Sequence, residues 1–246
     1  MKVTRAIGQG FATTHKGWPV IAVIFVFYGV IRFFSAPNDD IPPYLKSLGD
    51  WGIAALIFAA LCIGANYIMA GVQAFARDGI IEGRYEFKRF FGNCNRYFLV
   101  QLGVSSVLSI PMWALLFLAA VFRSGLVLLA ILVPAALGSE SWSIAAADSR
   151  GVFRSIGRSF IFCGGKFFSI TGLLLLVFVS TLLISVVVWI SYAFVLQGFR
   201  YLGLEGYGFI LREVTGCALY AYFFLFSSSS LMAYYLNNRK ADERHN

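Results

Sequence analysis

The chain has 246 residues, of which 59% are hydrophobic and only 13% are charged, and its formal net charge is +8. Average soluble domains are about 45–50% apolar and about 25% charged, so this composition excludes an ordinary soluble protein and indicates an integral membrane protein. The positive charge does not indicate binding to nucleic acid, because the basic residues lie in short segments between apolar runs.

Six segments are apolar enough to predict membrane-spanning helices. In chain order they are Trp18–Phe34, Trp51–Ala76, Tyr97–Phe122, Ser124–Ser139, Phe167–Phe199 and Val214–Asn238. Four of them exceed the roughly 20 uncharged residues that a spanning helix needs. The first and fourth are weaker, since Arg32 interrupts the first and the fourth is short; the first also fits the apolar part of a cleavable signal peptide. The sequence predicts an all-α polytopic membrane protein with six transmembrane helices.

The basic residues are distributed unevenly between the two predicted sides of the membrane. The N-terminal segment, the 77–96 and 138–166 loops and the C-terminal tail contain fifteen of the twenty lysines and arginines. Loops rich in Lys and Arg stay in the cytoplasm. We therefore expect a multi-pass protein of the inner (cytoplasmic) membrane with both termini cytoplasmic.

A similar construction precedes the first, third and fifth predicted spans. In each place basic and polar residues occupy one helical face, apolar residues lie roughly opposite, and a basic residue followed by aromatics leads into the span. Such a helix lies in the plane of the membrane interface. The pattern predicts three pseudo-repeats of an in-plane helix plus a helical hairpin, at 1–76, 77–137 and 138–238, followed by a polar tail at 239–246. Alternatively, the similarity arises only because every cytoplasmic loop needs positive charge and aromatic residues.

The basic faces are the main candidates for binding lipid or protein, because each Lys or Arg near an anionic leaflet contributes about 1 kcal/mol of attraction. The candidate residues are Arg5, Lys16, Arg84, Lys88, Arg96, Arg150, Arg154, Arg158 and Lys166. Anionic lipid headgroups, an acidic partner protein, or plain anchoring and orientation all fit this pattern.

The stretch from 135 to 184 resembles the membrane domain associated with glycerophosphodiester phosphodiesterases and related prokaryotic membrane proteins of unknown function. The motifs that carry the resemblance are Ser155-Ile156-Gly157-Arg158-Ser159-Phe160 and Gly165-Lys166-Phe167. The resemblance implies a six-span fold without an assigned activity, because the phosphodiesterase chemistry of that family belongs to a separate soluble barrel domain.

Uncharged polar residues inside the predicted spans form a second candidate site. They are Asn66, Gln73, Gln101, Ser227, Ser228, Ser229 and Ser230. Such residues either line a permeation groove between spans two, three and six or make hydrogen bonds between helices, typically of about 0.6 kcal/mol each.

Residue patterns for catalysis are lacking. The histidines, His15 and His245, belong to no metal-binding motif, and a serine hydrolase would lack an evident base within the spans. Four well-separated cysteines indicate packing residues rather than a disulfide framework or a metal site. We expect no catalytic residues, no metal and no cofactor.

These observations predict a non-catalytic membrane protein that acts as a scaffold or accessory subunit, associates with other membrane subunits or with itself, and binds anionic lipids. The alternative is a transporter or flippase-like protein that uses the uncharged polar groove.

Overall fold

The computed structural model describes residues 3–35, 48–122, 136–148, 151–203 and 207–242, and all regular structure within these ranges is helical. The α-helices are α1 (Val3–Lys16), α2 (Trp18–Ser35), α3 (Leu48–Glu82), α4 (Phe90–Phe122), α5 (Ser141–Asp148), α6 (Val152–Gly165), α7 (Phe167–Tyr201) and α8 (Gly208–Asp242), with a 310 helix at Phe87–Arg89. The predicted all-α class is therefore confirmed for the described residues.

Within the described residues, three helical segments are long and apolar enough to cross a membrane: Ala59–Glu82 of α3, all of α7, and Gly208–Arg239 of α8. The pair α1 and α2 adds a fourth if it is counted as one bent span. Most of the predicted span Ser124–Ser139 lies outside the described residues. A membrane protein with several helical spans is thus supported, and the number six stays a prediction.

The junction between α1 and α2 bends the chain by 80°. Gly17 occupies the bend because two other helices approach it closely: a Cβ atom there would lie 2.7 Å from Leu225 of α8 and 3.0 Å from Phe75 of α3. Pro19 follows in the first turn of α2, where a missing N–H group costs no hydrogen bond. A short helix set across the start of an apolar helix is the geometry predicted for the first in-plane helix.

The middle in-plane helix predicted before the third span is not formed. Residues 84–86 have no regular structure, the 310 helix covers only Phe87–Arg89, and α4 begins at Phe90 and continues without a break through Arg96. The physical reason lies in the sequence, since neither Gly nor Pro stands between Asn93 and Phe98, whereas Gly17 and Gly165 adjoin the other two breaks. The unit boundary predicted at 76/77 likewise falls inside α3, which continues to Glu82.

Helix α8 forms the centre of the bundle. Its residues contribute to core clusters with α2, α3 and α4, with α1, α6 and α7, and with α5. The contact with α1 is close: Phe11 and Phe226 have ring centroids 4.2 Å apart, and Asn237 donates a hydrogen bond of 2.7 Å to Gln9. Between them Gly10 lies directly against Ser230, where a Cβ atom would collide with the serine side chain.

Candidate functional site

A short helix, α5, occupies the interior of the bundle at the end where α3 stops and α4 begins. Five of its eight residues are buried, and it packs against α3, α4, α6 and α8. Three sets of polar side chains from these helices bond to it, and we call α5 together with those side chains the α5 cluster. The sequence predicts that this segment belongs to the cytoplasmic loop 138–166.

The first set joins α5 to α4 and α3. Trp142 Nε1 donates to Ser105 Oγ at 3.0 Å, and Ser105 Oγ in turn donates to Asn66 Oδ1. Gln101 Nε2 donates to the carbonyl oxygen of Trp142 at 3.0 Å. The two predicted groove residues Asn66 and Gln101 are thus connected through α5.

The second set bonds to the next residue of α5, on a different side of the helix. Ser143 Oγ donates to Gln73 Oε1 at 3.4 Å, and Gln73 Nε2 donates to the sulfur of Met69 at 3.7 Å. Ser228 of α8 approaches the same sulfur at 4.0 Å. Gln73 therefore lies between α5 and α8 rather than along an open path.

The third set holds the charged end of α5. Asp148 accepts a hydrogen bond from Tyr235 at 2.9 Å and ion-pair contacts from Arg158 at 3.1 Å and Arg239 at 2.5 Å, and its side chain is only 3% exposed. Arg77 donates to the carbonyl oxygen of Ala146 at 2.8 Å. Two arginines around one buried carboxylate compensate its charge, as burial requires.

Arg77 also belongs to a small network of its own. It contacts Asp78 at 2.6 Å and donates to the hydroxyl of Tyr97 at 2.6 Å, while Asn93 donates to Asp78 at 3.2 Å. These bonds tie α3 to the first turns of α4.

The serine run of α8 faces inward. Ser228, Ser229 and Ser230 are buried, Ser227 is half-buried and donates to the carbonyl oxygen of Phe224 at 3.2 Å, and Ser230 lies against Gly10 of α1. Small residues here let α1 and α8 approach closely. The predicted groove residues of spans two, three and six are therefore near one another, but α5 and α1 fill the space between them.

Most candidate basic residues are exposed at the end of the bundle where α1 and α6 lie. Those with exposed side chains are Arg5, Lys16, Arg84, Lys88, Arg96 and Arg154, and we call these six residues the basic face. Arg158 does not belong to it, because it pairs with Asp148 inside the α5 cluster. Lys166 is half-buried with its ammonium group 4.6 Å from the Phe162 ring. Arg150 lies outside the described residues.

The two short helices α1 and α6 bury a stripe of small residues at four-residue spacing. In α1 these are Ala6, Gly10 and Thr14, and in α6 they are Ser155, Ser159 and Cys163. On α6 two large apolar residues point outward instead, with Phe153 78% and Ile161 80% exposed, whereas Val152, Ile156 and Phe162 pack partly against the core. Helix α6 thus packs on protein through its small residues and presents part of its apolar surface outward, where it can meet lipid.

An apolar groove of about 870 Å³ opens beside the basic face, between α2 and α3. Its walls include Trp18, Ala22, Val26, Phe27, Gly64, Tyr67, Phe87 and Phe91. Lys16 reaches the same place, since its Nζ atom lies 5.0 Å from the ring of Tyr85, two residues before Phe87. Thr13 and Tyr85 are also joined by their hydroxyl groups at 3.4 Å. An apolar recess and exposed ammonium groups are thus adjacent.

The opposite end of the bundle has a single described interhelical ion pair. Arg32 of α2 contacts Glu213 of α8 at 2.9 Å, with the Arg32 side chain 54% exposed. Both residues lie near helix ends, Arg32 in the last turn of α2 and Glu213 near the start of α8.

Within the described residues no three His, Cys, Asp or Glu side chains come together as a metal site would need. All four cysteines are free thiols. Burial, and then the nearby Glu140, raise the pKa of Cys163 to about 11, so this thiol is protonated and a poor nucleophile.

Comparison with family models, curated proteins and solved structures finds no match for this chain. The resemblance of residues 135–184 to the phosphodiesterase-associated membrane domain therefore stays a prediction.

Sequence reasoning missed the charged members of the α5 cluster, which are Arg77, Asp148 and Arg239, and the nearby carboxyl groups of Asp78 and Glu140. One signal was available. Residues 139–148 carry only two charges, with small residues in most other places, whereas a solvated loop is usually richer in charge and in turn residues. A helix of small residues between apolar runs is typical of a segment packed inside the protein.

Proposed function

We propose that this chain is a non-catalytic integral membrane protein that binds anionic phospholipids at its basic face and serves as a scaffold or accessory subunit in a membrane complex. The proposal includes six spans, with the basic face toward the cytoplasm. The observation that carries it is the apolar groove whose lining residue Trp18 stands two residues after the exposed Lys16, because a phospholipid joins apolar acyl chains to a charged headgroup.

The groove favours a lipid over an acidic protein as the ligand. Its walls are mostly aliphatic and aromatic side chains, and its volume of about 870 Å³ falls within the range of about 300–1,000 Å³ that small-molecule sites occupy. Lys16 and Lys88 are exposed and stand close in the chain to groove residues, two residues before Trp18 and one residue after Phe87, so in this proposal their ammonium groups bind the headgroup phosphate. An acidic partner would use the positive charges and leave the apolar groove unexplained.

Charge neutralisation tests the headgroup half of the proposal. We expect Lys16→Gln with Lys88→Gln to weaken binding of phosphatidylglycerol by about 2 kcal/mol, or roughly thirtyfold, because each cation contributes about 1 kcal/mol. The measurement is lipid retention by native mass spectrometry of the purified protein, with phosphatidylcholine as the neutral comparison.

The matched control is Arg200→Gln with Arg212→Gln, which removes the same charge from exposed residues at the other end of the bundle. Equal losses in both double variants would show a general effect of net charge and would contradict a site at the basic face. Loss of a co-purifying acidic protein, with unchanged lipid retention, would favour the protein partner instead.

Filling the groove tests the acyl-chain half. Val26 lines the groove and is 62% exposed, while Val187 is 63% exposed on α7 and does not line it. We expect Val26→Trp to reduce phosphatidylglycerol retention several-fold and Val187→Trp to leave it unchanged. Equal retention in the two variants would mean that lipid binds through charge alone.

A further inference from the structure

Glu140 stands immediately before α5, and its side chain is fully buried. Its carbonyl oxygen accepts a hydrogen bond of 2.8 Å from the backbone N–H of Ile144, so the backbone of Glu140 begins the helix. Its carboxyl group takes no part in this, because neither oxygen has a hydrogen-bond partner among the described residues.

The surrounding polar groups are engaged elsewhere. Ser143 has one hydroxyl hydrogen, and it is donated to Gln73. Ser159 of α6 donates to the carbonyl oxygen of Leu137 at 2.7 Å. Cys163 of α6, also buried, is the titratable group that lies against Glu140.

The charged groups on the helices around α5 bond at its far end. Arg77 of α3 pairs with Asp78 and with Tyr97 of α4, and Arg158 of α6 and Arg239 of α8 pair with Asp148, which Tyr235 also contacts. Among the described residues no cation contacts Glu140. An ionised carboxylate in this position would lack a counter-charge. Burial accordingly raises the pKa of Glu140 well above its usual range, and the smaller opposing effect of the nearby Ser143 hydroxyl does not offset it.

We propose that Glu140 is a proton-binding site: the carboxyl group holds one proton while α5 is packed, and loss of that proton opens the junction between α5 and α6 to water. In the opening step the carboxyl O–H bond breaks and the proton passes to water or to a buffer base. This site goes beyond lipid binding, which involves neither Glu140 nor a buried proton.

The direction of the pH dependence follows from the raised pKa. An acid whose pKa is higher in the folded protein stabilises the packed state below its ordinary pKa, and that stabilisation is lost as the pH rises toward the folded value. The junction should therefore be closed at low pH and open increasingly as the pH rises.

Cys163 provides a native reporter of this opening, because it is buried beside Glu140. We would measure maleimide labelling at Cys163 by mass spectrometry in lipid nanodiscs, from about pH 5 to about pH 9, for the wild type and Glu140→Gln. Thiol reactivity rises with pH by itself, so the readout is the ratio of the two rates. We expect the labelling rate of the wild type divided by that of Glu140→Gln to be near one at about pH 5. The same ratio should rise by about tenfold or more by about pH 9.

The control is Glu82→Gln, which changes a half-exposed glutamate at the end of α3. Cys163 in this variant should be labelled at the same rate as in the wild type. A ratio of wild type to Glu140→Gln that stays constant with pH would overturn the proposal.

A second measurement on the wild type covers the case in which Glu140→Gln does not fold. Infrared spectra of protein made with 13C-labelled glutamate should show a protonated carboxyl band at neutral pH that shifts with the label and disappears at alkaline pH. Absence of a label-sensitive band at neutral pH would also overturn the proposal.

Discussion

Helices α5 and α7 show opposite relations between polarity and burial. The most apolar stretch of 18 residues in α7 has a mean hydropathy of 2.9, yet only 11% of these residues are buried. In α5, which contains three hydrogen-bonded or charged polar side chains, most residues are fully enclosed. The apolar helix is outside and the polar helix is inside.

This difference follows from the solvent. In a bilayer, lipid tails are as apolar as leucine, so burying an aliphatic side chain between helices gains only closer packing. Polar groups gain more from the interior, because there they find the hydrogen-bond partners that lipid lacks. Small and polar residues, rather than large apolar ones, therefore mark the inner surfaces of this bundle.

The largest expected effect comes from the charged end of α5. We expect Asp148→Ala to lower the free energy of unfolding by about 3 kcal/mol, because it leaves two partly buried arginines without their carboxylate. The measurement is unfolding in detergent micelles. Glu82→Ala removes an exposed carboxylate 3.9 Å from Arg89 and should cost less than about 1 kcal/mol. Equal costs would mean that the α5 ion pairs are not a structural centre.

Helix α7 itself offers the next test, because it is buried only near its start. Leu173 is fully buried and Leu183 is 59% exposed. We expect Leu173→Ala to lower the free energy of unfolding by about 2 kcal/mol through the cavity it leaves, and Leu183→Ala to change it by less than about 0.5 kcal/mol. If Leu183→Ala lowers the free energy of unfolding in lipid nanodiscs as much as Leu173→Ala does, the outer face of α7 is covered by protein rather than lipid.

The close approach of α1 to α8 predicts a smaller effect. A methyl group at Gly10 would collide with Ser230, whereas one at Gly8 meets nothing within 4 Å. We expect Gly10→Ala to be about 1–3 kcal/mol less stable than Gly8→Ala, because overpacking forces the helices apart. Both changes give the same gain in helix propensity, so their difference in unfolding free energy isolates the contact.

The smallest effect is expected for the two hydrogen bonds of one serine side chain. Ser105 links Trp142 to Asn66, while the neighbouring Ser106 is exposed and bonds only to the carbonyl oxygen of Leu102 in its own helix. We expect Ser105→Ala to cost about 1 kcal/mol of unfolding free energy and Ser106→Ala about half that or less. A larger cost at Ser106 would place the outer face of α4 against protein.

The sequence was sufficient for the helical class and for the break at Gly17, because continuous apolar runs and a Gly-Trp-Pro junction have direct local consequences. It also indicated that Asn66, Gln73 and Gln101 face the interior, since polar groups avoid lipid. It did not show what they bond to, because their partners Trp142, Ser143 and Ser105 lie on helices whose relative position depends on tertiary packing.

The burial of Glu140 and Asp148 was not predictable from periodicity. Helix α5 is too short to show a clear apolar face, and its neighbours Arg77 and Arg239 are far away in the chain. The stripe of Ala6, Gly10 and Thr14, by contrast, was readable as a packing surface. The sequence-based prediction of α1 and α6 considered only their basic and large apolar residues and did not identify this stripe.

The pairing of Phe11 with Phe226 and of Gln9 with Asn237 has a consequence for biosynthesis. About 190 residues separate the end of α1 from the start of α8, and a ribosome adds roughly 5–20 residues per second. The stripe that α1 offers to α8 thus stays without its counterpart for many seconds after it leaves the exit tunnel. During that interval the stripe of α1 that packs on α8 can be covered only by the membrane surface or by a chaperone.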